Sequence, residues 1–86
     1  MYTVYILYSS KFDKLYIGFT SDLISRFHSH NRFAKKGFTI RYRPWVVVHV
    51  EFFDAKTLAS AREQELKSGK GRAWIRSHVL AGFISA

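Results

Sequence analysis

Hydrophobic residues fall into a few separate groups along the chain, and their spacing predicts the secondary structure. Two apolar runs, at residues 2–8 and 15–19, flank a polar segment at residues 9–14. Aromatic and β-branched side chains dominate both runs, so they predict a β-hairpin whose loop is longer than a two-residue turn. A third run, at residues 45–53, opens on Trp45-Val46-Val47-Val48 and predicts a strand that is buried on both faces.

The first helix is predicted over residues 23–31. Its apolar stripe is formed by Leu23, Ile24 and Phe27, and residues 20–22 offer several side-chain caps for its first turn. The following segment, residues 32–43, has no sustained period and ends before Pro44. It is predicted to be an exposed loop.

Two further helices are predicted in the second half of the chain. One begins after Asp54, a candidate N-cap, and runs to residue 67 with Gly69 as its candidate C-cap. Its apolar side is made of Ala55, Leu58, Ala59 and Leu66. The last helix follows residues 70–72, and its tail at residues 81–86 is expected to fray. Its apolar face is made of Trp74, Ile75, Val79 and Leu80.

The predicted order is strand, strand, helix, strand, helix, helix, in a single domain over residues 1–86. We therefore expect an α+β fold in which three helices flank a small, three-stranded, mostly antiparallel sheet. A chain of 86 residues has little volume for a core, and its 17% aromatic content supplies the necessary bulk. The absence of cysteine excludes disulfides and thiolate metal sites.

Positive charge is the main compositional feature. Lys and Arg number 14 against 6 Asp and Glu, which gives a net charge of +8. Excess charge can serve solubility alone, but here the cations are clustered, so a polyanion such as nucleic acid is the expected partner. The candidate nucleic-acid-binding residues are Arg32, Lys35, Lys36, Arg41, Arg43, Lys67, Lys70 and Arg72.

No apolar run reaches the length of a membrane span, and no basic leader precedes a long apolar stretch. We expect a cytoplasmic protein without membrane contact. The chain is expected to be a monomer or a weak homodimer.

Candidate chemistry begins with two tyrosines that are separated by ten residues, in Thr3-Val4-Tyr5 and Tyr16-Ile17-Gly18. Arg26 and His30 follow as i and i+4 neighbours on the first helix, and Glu63 lies in the second. Gly18 suits a strand bend, the close approach of a phosphate backbone, or the end of the strand. Periodicity alone does not choose between Glu63 and Glu65 as the acidic group.

Together these residues resemble the GIY-YIG nuclease superfamily, in particular its small stand-alone members, and are similar to the nuclease domain of the excision-repair incision subunit. The YIG half is intact, whereas Thr3-Val4-Tyr5 keeps only the tyrosine of the GIY half. The resemblance extends from Thr3 to about Ile75. It selects Glu63 over Glu65, because the family shares the Arg-Glu pair that precedes Leu66-Lys67.

The resemblance also implies a role for each residue. Tyr5 would act as the general base for the attacking water, or orient that base, with the assistance of Tyr16. An ordinary phenol needs about 4 kcal/mol of help to ionise near pH 7. Arg26 would stabilise charge on the phosphate, and His30 would relay a proton from a tyrosine. Glu63 would hold one Mg²⁺ or Mn²⁺ ion.

The expected function is a divalent-metal-dependent nuclease, with DNA as the favoured substrate and RNA as the second option. The alternative is a non-catalytic nucleic-acid-binding module with the same fold. Two departures from the family pattern motivate that alternative. They are the altered GIY half and the lack of an asparagine from Gln64 onwards.

Overall fold

The three apolar runs form one antiparallel sheet in a computed structural model, which describes residues 1–33 and 37–85, with side chains at residues 1–31 and 37–83. The strands are β1 (Tyr2–Ser9), β2 (Lys14–Thr20) and β3 (Val46–Phe53). Their order in the sheet is β2-β1-β3, and both pairings are antiparallel. The predicted α+β fold is confirmed.

β1 is the central strand and carries the core on both faces. Val4, Ile6 and Tyr8 pack on one face, while Tyr5 and Leu7 pack on the other. This alternation is the period of two of a β-strand.

The edge position of β3 contradicts one prediction. The run at residues 45–48 was expected to form a strand buried on both faces, but Val46 and Val47 are exposed. The reason is the strand order: within the part of the chain that the structure describes, β1 has a paired neighbour on each side, whereas β3 has one and lies at the edge of the sheet. The fully buried residue of this run is Trp45, which lies just before the strand.

The first helix begins where the sequence indicates. α1 (Leu23–His28) has Asp22 at its N-cap, where the side chain accepts a hydrogen bond of 3.1 Å from the Ser25 amide. A π-helical segment (Ser29–Phe33) extends it. Ile24 is exposed, so its prediction as part of the apolar stripe is wrong.

Part of the predicted loop is helical. Residues 38–41 form one short helix, α2 (Phe38–Arg41), which begins at Gly37 with φ at 115°. The prediction of an uninterrupted loop is therefore wrong for this turn. Its Thr39 carbonyl accepts a hydrogen bond of 2.8 Å from the Trp45 indole, which ties the turn to the buried Trp45.

The second half of the chain is helical, with different caps from those predicted. α3 (Lys56–Lys67) begins after Ala55, not Asp54, and this N-cap position makes no side-chain cap hydrogen bond. Gly69 opens α4 (Gly69–Trp74) instead of closing α3, because Ser68 stands between the helices and accepts a hydrogen bond from the Gly71 amide. A π-helical segment (Ile75–Leu80) and α5 (Ala81–Ser85) follow, so helix continues into the tail that was expected to fray.

These helices cover the face of the sheet that carries Val4 and Ile6. Ile75 and Leu80 from the π-helical segment complete this core, together with Ala59 and Leu66 of α3. The predicted apolar side of α3 is confirmed for Ala59 and Leu66 but not for Ala55 and Leu58, which are exposed. None of the helices in the described part of the chain has the length and hydrophobicity that a membrane crossing requires.

Candidate active site

The two tyrosines of the sequence motif lie side by side on the sheet. Tyr5 is on β1 and Tyr16 on β2, and their ring centres are 6.2 Å apart in a stacked arrangement. Tyr5 lies directly opposite Gly18 in the register of the two strands. A Cβ atom at Gly18 would lie 2.7 Å from the Tyr5 hydroxyl oxygen and 2.9 Å from Cζ. Gly18 therefore leaves the room that the Tyr5 ring occupies.

Tyr5 and His30 form a buried hydrogen-bonded pair. The Tyr5 hydroxyl lies 3.0 Å from His30 Nε2, and the two residues are 1% and 5% exposed. Burial lowers the pKa of His30, and the nearby cations Arg26 and Arg43 lower it further. The imidazole is therefore neutral at pH 7, and one of its two ring nitrogens can accept a hydrogen bond.

The Tyr5 phenol binds its proton more tightly than the phenol of free tyrosine does. Burial raises its pKa to about 12, and the proximity of Tyr16 and Glu63 also raises it. Hydrogen bonding and positive charge from Arg26 act in the opposite direction without overcoming burial. In this environment Tyr5 is protonated at neutral pH, and its hydroxyl donates to His30 Nε2 in the tautomer that carries the ring proton on Nδ1.

Arg26 connects the tyrosines to solvent. Hydrogen bonding to Tyr5, and more weakly to Tyr16, raises the pKa of this guanidinium. Its side chain lines a cleft of about 290 Å³ together with Tyr16, His30 and Phe38. A guanidinium at the wall of an open cleft is suited to hold two oxygens of a phosphate.

The acidic candidate, Glu63, comes from the other half of the chain. It projects from α3, its side chain is 12% exposed, and its Oε1 lies 3.2 Å from Lys67 Nζ. Its charge acts on the Tyr5 hydroxyl. Glu65, in contrast, is 67% exposed and pairs with Arg62. Of the two glutamates that periodicity left open, Glu63 is the one whose charge bears on the pKa of Tyr5.

The donor set at Glu63 fits a hard cation that keeps most of its own water. In the described residues no group of three or more His, Asp or Glu side chains is gathered for metal binding. Mg²⁺ is commonly bound in proteins through one or two carboxylates, with water and phosphate oxygens completing its shell. A single carboxylate, with water and phosphate supplying the other ligands, matches that mode of binding and does not match an all-protein cage.

Two residues outside the predicted catalytic set hold the segment around His30 in place. Arg43 donates hydrogen bonds to the backbone carbonyls of His30 (2.6 Å) and Ser29 (3.1 Å). Asn31 exchanges two hydrogen bonds with the Trp45 backbone, of 2.9 and 2.6 Å. The one sequence feature that could have pointed to Asn31 is its position directly after His30. Arg43, predicted to bind nucleic acid, has a structural role here.

The model of the GIY-YIG catalytic domain matches residues 1–76, which is most of the chain and includes every residue of this site. The chain belongs to the GIY-YIG family. This is a family of endonucleases, whose members generally use divalent metal ions and act on nucleic acid.

Three similar proteins are each described as a UPF0213 protein. A UPF0213 protein of Haloquadratum walsbyi is 38% identical over 65 residues, which cover 76% of this chain and 72% of the relative. UPF0213 proteins of Staphylococcus haemolyticus and Natronomonas pharaonis are each 37% identical over 65 residues, covering 76% of this chain and 78% and 75% of the relatives. No solved structure matches the chain significantly.

The remaining basic residues of this GIY-YIG domain are distributed over several surfaces. Arg41, Lys67, Lys70 and Arg72 are exposed. Lys67 contacts Glu63, and Arg72 donates to the Lys67 carbonyl. Lys35 and Lys36 lie outside the described residues, as does the side chain of Arg32. Their role in nucleic-acid binding stays a prediction.

Proposed function

We propose that this GIY-YIG domain is a divalent-metal-dependent nuclease that hydrolyses phosphodiester bonds, with DNA favoured over RNA. One observation carries the proposal. The hydroxyl of Tyr5 has His30, Arg26 and Glu63 within hydrogen-bonding or electrostatic range, and Tyr16 stacks beside it. Four separate segments of the chain supply these groups, and packing alone does not require this combination of a base, a cation and a carboxylate.

The proton of the attacking water is the first problem that such a site must solve. A phenol with a pKa of about 12 does not lose its proton beforehand. We infer that Tyr5 accepts a proton from water only as it passes its own to His30, which is neutral because its pKa is lowered. Tyr16, in the cleft wall, assists by positioning the water.

The phosphate is the second problem. Arg26 lies in the cleft wall, where its guanidinium can contact two non-bridging oxygens and stabilise the charge that develops in the transition state. Glu63 is the residue that would hold Mg²⁺ or Mn²⁺. A divalent ion, when bound there, neutralises phosphate charge.

A non-catalytic nucleic-acid-binding module is the second candidate function. The raised pKa of Tyr5 favours it, since a tyrosine that has lost its catalytic role needs no activation. The net charge of +8 serves binding equally well.

Cleavage assays decide between the two. Purified protein is incubated with labelled single-stranded DNA, duplex DNA and RNA, in Mg²⁺, Mn²⁺ or chelator. We expect cleavage that requires the metal and that is lost in Glu63→Gln and Arg26→Ala. Glu65→Gln is the matched control, because Glu65 lies on the same helix but pairs with Arg62 away from Tyr5.

Each other outcome has a defined meaning. Cleavage that survives Glu63→Gln identifies a contaminant and removes the support for a nuclease. Binding that weakens steeply with salt, without cleavage of any substrate, supports the binding module. Salt-independent binding contradicts the assignment of the basic surface under both candidates.

A further inference from the structure

An aromatic strip extends from the rim of the active-site cleft. It consists of Phe12, Phe38, Tyr42 and Trp45. The ring centres are 6.2 Å apart for Phe38 and Trp45, 4.8 Å for Phe38 and Tyr42, and 5.5 Å for Tyr42 and Phe12. Trp45 is the buried end that fixes the strip to the core, whereas Phe38 is 51% and Phe12 40% exposed.

Three cations lie against this strip. Lys11 Nζ is 5.4 Å from the centre of the Phe12 ring, Lys14 Nζ is 5.3 Å from that of Tyr42, and the Arg41 guanidinium carbon is 5.7 Å from that of Tyr42. All three cations are exposed. Exposed rings interleaved with lysine and arginine are complementary to a ligand that alternates flat, uncharged faces with negative charges.

The strip and the cleft share one residue. Phe38 lines the same cleft as Tyr16, Arg26 and His30. A nucleic-acid strand with a phosphate bound at Arg26 therefore has its adjacent nucleotides next to the Phe38 ring. Exposed apolar side chains are common on protein surfaces, so what singles out Phe38 is its place, in the wall of the cleft and in contact with two other rings of the strip.

We propose that the aromatic strip stacks unpaired bases next to the scissile phosphate, so that the substrate is single-stranded or locally unpaired nucleic acid. This inference rests on the proposed function and names its substrate class. In a duplex the faces of the bases are covered by their neighbours, and a surface strip reaches them only after unstacking. In a single strand each base presents a free face, which stacks on an aromatic ring irrespective of sequence.

The experiment measures binding in chelator, so that it does not depend on cleavage. The probes are a fluorescein-labelled DNA 20-mer, the RNA of the same sequence, the blunt duplex, and a 20-mer with abasic sites at its central positions. The abasic strand keeps the phosphate charges and lacks the bases. We expect both single strands to bind more tightly than the duplex, and the abasic strand to lose that advantage.

Variants locate the effect on the strip. Phe38→Ala should weaken single-strand binding by about 5- to 150-fold and duplex binding by less than about twofold. Phe38→Trp should bind single strands with the affinity of the wild type, because indole provides an equivalent stacking face. Phe52→Ala is the matched control, since Phe52 is an exposed phenylalanine on β3 outside the strip and should leave binding unchanged.

Equal affinity for the abasic and the normal strand, or equal effects of Phe38→Ala and Phe52→Ala, would overturn the stacking proposal. Metal-dependent cleavage of duplex as fast as of single strands would overturn the substrate class while the nuclease function stands. Stacking-dependent binding without cleavage would instead remove the nuclease and leave the strip as a single-strand binding surface.

Discussion

Replacing Gly18 with alanine tests how closely the candidate active site is packed. The added Cβ would lie 2.7 Å from the Tyr5 hydroxyl oxygen, 2.9 Å from Cζ and 3.2 Å from Cε1 of Tyr16. Carbon and oxygen atoms in weak contact are about 3.3 to 3.6 Å apart, so the hydroxyl must retreat by roughly 0.6 to 0.9 Å. Tyr5 is held by the core, which leaves it little room to do so.

The consequences separate into stability and activity. Overpacking of this kind costs about 1 to 3 kcal/mol of unfolding free energy. The displaced hydroxyl loses its 3.0 Å hydrogen bond to His30, and a misplacement near 1 Å reduces catalysis by about 100-fold. The affinity for nucleic acid should change by less than about twofold, because Gly18→Ala removes no cation from the cleft.

Three measurements on Gly18→Ala check this reasoning: the cleavage rate at saturating substrate, the affinity in chelator, and urea unfolding. Gly82→Ala is the control, because a Cβ there meets no heavy atom within 4 Å. A Gly18→Ala protein that cleaves at the normal rate and unfolds at the normal urea concentration would show that the Tyr5 pocket is not filled as described.

Three other predictions concern stability and pH. Gly71→Ala should lower the unfolding free energy by about 3 kcal/mol in urea, because its Cβ would lie 2.2 Å from the Glu65 carbonyl oxygen and 2.5 Å from Leu66 Cα; a loss no larger than that of Gly82→Ala would contradict it. His30 has a lowered pKa in the folded protein, so below about pH 6.5 the unfolded chain binds more protons than the folded chain does. The unfolding free energy should therefore decrease as the pH is lowered through this range, and it should decrease less in His30→Gln. Tyr5 has the opposite sign, since its pKa of about 12 exceeds the unfolded value of 10.0; its contribution of about 3 kcal/mol should be complete below pH 10 and lost as the pH rises towards 12. Parallel unfolding of wild type and Tyr5→Phe at pH 9 and 11 measures that loss, and an unchanged difference between them would refute it.

The positions of the strands could be predicted from local sequence, whereas the residues of the candidate active site could not. Apolar runs located all three strands, because strand patterns depend mainly on local composition. The gathering of Tyr5, Arg26 and Glu63 was expected from a resemblance, since no periodicity argument relates β1 to a helix fifty residues later. Gly18 was expected to admit a phosphate or a bend, and only the register opposite Tyr5 reveals the ring that it accommodates.

Other features depend on tertiary structure. Asp22 and Asp54 are equally good caps by composition, yet only Asp22 caps a helix, because the chain enters α3 one residue later. Arg43 resembles its basic neighbours in sequence, but the carbonyls that it satisfies come from a segment more than ten residues away. The exposure of β3 follows from the strand order, which hydrophobicity alone does not encode.

The edge position of β3 also affects how the protein behaves in solution. In the described part of the chain β3 pairs on one side only, and it exposes Val46, Val47 and Phe52. Unpaired backbone groups beside apolar side chains are a template for edge-to-edge association. The net charge of +8 keeps copies of the chain apart at low ionic strength, and salt screens that repulsion. Colloidal stability should therefore decrease as salt increases, under the same conditions that weaken the hold on a polyanion.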